Sequence, residues 1–105
     1  MIRLPHEDLL AAAWDCLRCV RDPELGVNLV DLGLVYDLAL DGETARMRMT
    51  LTAPGCPLAD SMPAAVARAL EMVPGISHAE AELVWEPRWE PEMMTHRGRE
   101  ELGWR

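Results

Sequence analysis

Cys56 stands in Thr52-Ala53-Pro54-Gly55-Cys56-Pro57, between a strand-like run and a helix-like run. A thiol placed there is available for chemistry. At the first turn of a helix, backbone N–H groups without intrahelical partners favour a thiolate, the form that binds metals and attacks electrophiles. Three roles suit it: a metal or sulfur ligand, a nucleophile, or a small residue plugging a tight turn. A catalytic cysteine ordinarily takes a histidine as base, and His6, His78 and His96 all fall in segments that read as exposed. A Cys-His hydrolase is therefore disfavoured.

The other two cysteines, Cys16 and Cys19, form a C-x-x-C, a spacing used in redox chemistry and in half of a zinc site. A helical rotation of about 100° per residue sets Cys19 nearly opposite the apolar stripe of Leu10, Trp14 and Leu17, with Cys16 at its border. A structural zinc takes four ligands, and no second C-x-x-C completes a set. The pair reads as incidental.

Asp22, Glu24 and Asp31 put three carboxylates into one ten-residue stretch. They could ligate a hard cation, act as acid and base, or cap turns and helix ends. Capping is the default for Asp22 and Asp31. A functional role would require them to meet Cys56 in space, which spacing alone does not establish. Near the end, Trp85, Trp89, Met93, Met94 and Trp104 offer large, soft contact surface, read first as packing against a sheet and second as a docking patch.

The elements that must position these groups follow from periodicity. Pro5 to about Val20 carries apolar residues at helical spacing, with Glu7 and Asp8 suited to the positive first turn. Pro23 and Gly26 break that pattern and open a loop. Leu34 to Leu40 alternates, with Leu34, Tyr36, Leu38 and Leu40 on one side. Asp41-Gly42-Glu43-Thr44 is a turn signal, and Ala45 to Leu51 alternates again, which predicts a β-hairpin. Leu58, Met62, Val66, Leu70 and Val73 predict a second helix ending at Pro74-Gly75, its start blurred by Pro63. His78 to Trp85 predicts a third strand, and Glu92 to Leu102 a short last helix. The expected fold is α+β: helix-strand-strand-helix-strand with a short C-terminal helix, as a mixed three-stranded sheet with helices packed on one face.

With 105 residues, 50% hydrophobic and 27% charged, the chain is sized for one domain with a core of its own, residues 1–105. Ten basic against eighteen acidic residues give a formal charge of −8. That balance opposes phosphate backbones and anionic lipid, so no nucleic acid and no membrane is expected as partner. The longest apolar run, Leu9 to Trp14, is far short of a bilayer span, and Glu7 and Asp8 stand where a signal peptide would be apolar. Three cysteines argue against a disulfide framework and fit a reducing, cytoplasmic setting.

Three segments in register carry a resemblance: Asp22-Pro23-Glu24-Leu25-Gly26-Val27-Asn28-Leu29-Val30-Asp31-Leu32-Gly33-Leu34-Val35-Tyr36, then Met49-Thr50-Leu51-Thr52-Ala53-Pro54-Gly55-Cys56-Pro57-Leu58-Ala59-Asp60, then Leu83-Val84-Trp85-Glu86-Pro87. Together they resemble the small iron-sulfur cluster assembly domain family, which includes SufT proteins, cytosolic iron-sulfur targeting factors and PaaD-type proteins. The resemblance implies that the Asp-Pro-Glu loop and the cysteine loop converge on one pocket. Position by position it nominates Cys56, Asp22, Glu24, Leu25 and Thr52, with Asp31 as support. Relatives commonly carry a second threonine after the position of Thr52, where this chain has Ala53. No cysteine-rich C-terminal extension of PaaD type follows, which favours a SufT-like role.

The resemblance further implies a maturation or carrier factor, without catalytic turnover, in which Cys56 accepts or hands over iron, sulfur or a cluster. One thiolate cannot fill the cysteine shell of a [2Fe–2S] or [4Fe–4S] centre. A cluster would be bridged between two chains as a homodimer, shared with a partner, or completed by a small thiol. No tightly bound metal is expected after aerobic preparation. Asp22 and Glu24, if close and ionised, would raise the thiol pKa against the helix terminus, making Cys56 a conditional nucleophile. Scaffold and client proteins are the expected partners. The rival readings are a metal-free adaptor in cluster delivery and a thiol oxidoreductase using Cys16 and Cys19.

Overall fold

The computed structural model describes residues 6–23, 25–52 and 61–103. The first helix, α1 (His6–Leu17), places Glu7 and Asp8 in its first turn and buries Leu9, Ala13 and Leu17. Their spacing of four residues is one face of a helix. Two strands follow, β1 (Val35–Asp41) and β2 (Thr44–Met49), then α2 (Met62–Glu71) and β3 (His78–Leu83). The Pro63 ambiguity resolves simply. Met62 opens α2, so Pro63 falls in the first turn, where its missing N–H has no intrahelical acceptor to lose.

The sheet has the order β1-β2-β3, with β1 antiparallel to β2 and β3 parallel to β2. Leu38, Ala45, Met47, Met49 and Ala79 turn inward to meet Leu17 of α1 and Val66 and Leu70 of α2 in one hydrophobic cluster. The opposite face carries exposed residues in rows across the strands, Asp37-Arg48-Glu82 and Ala39-Arg46-Glu80. Arg48 reaches Asp37 at 3.2 Å and Arg46 reaches Glu80 at 3.1 Å.

Three expectations are corrected. The even alternation read over Leu34 to Leu40 is interrupted: Val35 pairs with Met49 and Asp37 with Arg48, which leaves Tyr36 as an extra residue in a bulge. Tyr36 instead donates its hydroxyl to the Pro87 carbonyl at 2.7 Å. The single last helix expected over Glu92 to Leu102 is two pieces, a 3₁₀ turn at Pro91–Met93 and α3 (His96–Glu101). Met94 and Thr95 are extended between them, and Thr95 caps α3 by accepting from Gly98 N at 3.1 Å. The third strand also stops at Leu83, short of Trp85.

The mixed topology brings three segments to one end of the sheet. β1 starts there, β2 finishes there, and β3, parallel to β2, finishes there too. Thr50 N donates to Leu34 O at 2.9 Å and Val84 N to Met49 O at 2.8 Å, tying the three together. The turn before β1, the chain leading toward Cys56, and the chain after β3 thus share one neighbourhood.

Candidate functional site

After α1 the chain closes on itself in a loop of residues 21–28. Arg21 and Asn28 form an isolated antiparallel bridge. Asp22 N donates to Val27 O at 3.0 Å, Gly26 N to Asp22 O at 2.7 Å, and Leu29 N to Val20 O at 2.9 Å. The Asp22 carboxylate, itself buried, accepts from Leu25 N at 3.1 Å. An aspartate that bonds a backbone N–H three residues on stabilises a turn by its own side chain. Arg21 adds a lid of its own, donating to Gly26 O at 2.6 Å. Leu25 is 39% exposed, one of the few large apolar side chains so presented among the described residues.

A second turn, residues 28–33, follows directly. Asn28 and Asp31 grip each other twice: Asn28 Nδ2 donates to Asp31 Oδ2 at 2.7 Å and Asp31 N donates to Asn28 Oδ1 at 2.9 Å. The other carboxylate oxygen of Asp31 accepts from Thr95 Oγ1 at 2.9 Å, and Asp31 O accepts from Thr95 N at 2.9 Å. Burial alone would raise the pKa of Asp31. The bonds from Asn28 and Thr95, with Arg97 and Arg18 as nearby positive charge, outweigh it and hold the carboxyl below the usual carboxylate value.

The chain after β3 lies against this second turn as a strap. Trp89 Nε1 donates to Leu32 O at 2.7 Å, and Met94 is buried in the core. Gly33 has φ +77, and a Cβ on it would collide with the Met93 carbonyl. A Cβ on Gly98 would collide with the carbonyl of Asp31. Both glycines let backbone meet backbone.

Beside the strap an open cleft of about 670 Å³ is lined by Trp14, Val30, Tyr36, Arg48, Glu86 and Met93, among others. Burial, with Glu86 and Glu90 nearby, raises the Tyr36 pKa despite an opposing bond with Thr50. Asp22, Leu25 and Thr52 do not line this cleft. Thr52 is half-buried and is the last described residue before the cysteine loop. Cys56, Glu24 and Ala53 lie outside the described residues. Of the nominated residues, the described geometry therefore fixes Asp22 and Leu25 in one loop, Asp31 in the adjoining turn, and Thr52 near the shared end of the sheet.

Cys16 and Cys19 are described in full. Cys16 is half-buried and donates its thiol to Ala69 O at 3.2 Å, while Cys19 is exposed. Burial first, and then Cys19, push the Cys16 pKa up, so Cys16 is held as a thiol. Among the described residues no group of three or more His, Cys, Asp or Glu side chains could hold a metal ion, and no helix is long and apolar enough to cross a membrane. His6, His78 and His96 are all exposed.

The comparisons with known proteins decide the family. The model of the iron-sulfur cluster assembly protein family matches residues 10–83. This chain belongs to that family. An Fe-S protein maturation auxiliary factor of Porphyromonas gingivalis is 44% identical over 89 residues, covering 83% of this chain and 84% of the relative. The Fe-S protein maturation auxiliary factor YitW of Bacillus subtilis is 42% identical over 99 residues, covering 93% and 97%. Among solved structures, a domain of unknown function from Bacillus anthracis superposes with a TM-score of 0.87 at 38% identity, covering 95% of this chain and 96% of that one. The strap, which begins after β3, lies beyond the part matched by the family model.

Asn28 and Thr95 are the residues that sequence reasoning missed, and Trp89, expected as contact surface, also donates to Leu32 O. Thr95 had a local signal: a threonine directly before a helical run is an N-cap signature. Its second bond, to Asp31 across 64 residues, had none.

Proposed function

We propose that the chain is an iron-sulfur protein maturation factor that carries cluster cargo, or its parts, to client proteins in the cytoplasm. The observation that carries this reading is near-full-length similarity to proteins named as maturation auxiliary factors, 97% of the Bacillus subtilis relative being covered. Cys56 serves as the sulfur that takes up and releases cargo. One thiolate leaves the rest of an iron shell to other donors, so cargo is held between this chain and a second copy, a partner or a small thiol. Release then needs only a competing thiolate from the client, an exchange of ligands without turnover of a substrate.

The acidic loop supports this role by being formed beforehand. Asp22 keeps its backbone closed, and Glu24 follows it two positions along in the sequence. Carboxylates close to the thiolate would hold its affinity for cargo in check, since they raise the thiol pKa. Leu25 and Thr52 complete the proposed contact region, and Asp31 supports it from behind. The charge of −8 turns the carrier away from nucleic acid and anionic membranes and toward protein partners.

Anaerobic purification from iron-replete cells, with iron and sulfide analysis of wild type beside Cys56→Ala, tests the reading. Iron and sulfide present in wild type and lost in the variant, together with failed activation of a client enzyme, is the expected result. Normal client activation by Cys56→Ala with no metal in either protein would replace the carrier with a metal-free adaptor. The oxidoreductase reading is weakened by the Cys16 thiol, which is bonded to a carbonyl and kept protonated. Cys16→Ser, Cys19→Ser is expected to support client activation as wild type does.

A further inference from the structure

The acidic loop is closed by its own bonds, yet it is also connected to a segment almost at the other end of the chain. The connection can be followed atom by atom. Thr95 Oγ1 donates to Asp31 Oδ1 at 2.9 Å. The second oxygen of the same carboxylate accepts from Asn28 Nδ2 at 2.7 Å. Asn28 is bridged to Arg21, and Arg21 donates to Gly26 O at 2.6 Å inside the acidic loop. Asn28 and Asp31 are buried, so water is a poor substitute for these partners.

Each link constrains the next. A carboxylate accepts only, so Thr95 and Asn28 must both donate to Asp31. Asn28 is thereby fixed in orientation: its NH₂ faces Asp31 Oδ2 and its carbonyl oxygen accepts from Asp31 N at 2.9 Å. With the side chain committed, the Asn28 backbone remains in register with Arg21. The strap is pressed into place by contacts that do not use this relay, the Trp89 bond to Leu32 O and the approach of Gly33 to Met93.

We infer that Thr95 and Asn28 are positioning residues: through Asp31 they transmit the docking of the C-terminal strap to the Asp22 loop and set the geometry in which that loop meets cargo. The inference rests on the carrier reading for its second half only. Its first half, the mechanical coupling of strap to loop, stands on the bonds alone.

The test uses two substitutions of nearly equal shape. Thr95→Asn keeps a side-chain acceptor for the Gly98 N–H and a donor for Asp31. Thr95→Asp keeps the acceptor, and so the cap of α3, but offers Asp31 no proton at neutral pH and sets a like charge against it. Amide hydrogen exchange is read at Asp22, Gly26 and Leu29, whose N–H groups close the loop, and at Met47 and Met49 in β2 as a reference. Client activation is measured in parallel for both variants and for Cys56→Ala.

Thr95→Asp is expected to speed exchange at the three loop amides by roughly tenfold relative to Thr95→Asn, with β2 amides unchanged, and to slow client activation several-fold. Loop amides that exchange alike in both variants would overturn the coupling. Loop amides that loosen while activation stays at the wild-type rate, with Cys56→Ala inactive, would overturn the positioning role in delivery. If Cys56→Ala itself activates clients normally, the carrier reading falls, and the exchange data alone uphold or overturn the coupling.

Discussion

Asp22 and Asp31 are buried carboxylates nine positions apart in one motif, and they are wired on opposite scales. The described bonds of Asp22 run to Leu25, Gly26 and Val27, all within the same turn. Those of Asp31 run to Asn28 nearby and to Thr95, 64 residues further along. One carboxylate shapes its own loop through the bond from Leu25 N. The other exists as seen only when the whole chain has folded. The contrast shows that residues adjacent in a motif can divide the labour, one presenting a surface and the other fastening that surface to the body of the protein.

The sharpest way to break this contrast is at the fastening. Gly33→Ala forces a side chain into a left-handed backbone and against the Met93 carbonyl, and should cost about 2–4 kcal/mol of stability, read as a lowered urea midpoint. An unchanged midpoint would mean that the strap is not pressed on this turn. Asp31→Ala strands the buried Asn28 amide, for an expected loss of roughly 2–3 kcal/mol. Asp22→Ala removes the described bond from Leu25 N, which is worth about 1 kcal/mol. Equal losses at the two sites would erase the distinction between them.

Acid provides a gentler probe of the same difference. Because the folded Asp31 pKa lies below its unfolded value, its contribution is complete above the ordinary aspartate pKa of about 3.9 and is lost as the pH falls through the folded value. Urea midpoints measured downward from pH 6 should therefore fall less steeply for Asp31→Asn than for wild type. Parallel curves would show that the carboxylate charge is immaterial to the fastening. The smallest effect belongs to the exposed face of the sheet, where Arg46→Gln breaks a solvated pair with Glu80 and should change stability by no more than about 0.5 kcal/mol. A larger loss there would mean that the sheet, too, depends on long-range polar contacts.

Legibility in the sequence follows the same division. Strand and helix periods, the hairpin turn and the crossover were readable because each depends on neighbours a few residues away. The exposed Cys19 and bordering Cys16 were readable for the same reason, since helical rotation fixes a face. Tyr36 was misread because a bulge turns on the registration of two strands, and alternation within one strand carries no record of its partner. The last helix was misread because Met94 is drawn into the core and Thr95 to Asp31, and tertiary contacts of that kind override local propensity. For the site, the motif located Asp22 and Asp31, but their different tasks emerged only from bonding partners that no spacing reveals.

The rows Asp37-Arg48-Glu82 and Ala39-Arg46-Glu80 leave one side of the sheet studded with fixed ions of both signs. Dehydrating such a side is costly, because the paired Arg46, Glu80, Arg48 and Asp37 would forfeit hydration and gain no partner they lack. Two copies pressed together there would gain little and surrender much. Dehydration therefore penalises stacking through the bare side of the sheet, and any lasting association is steered toward the rest of the surface.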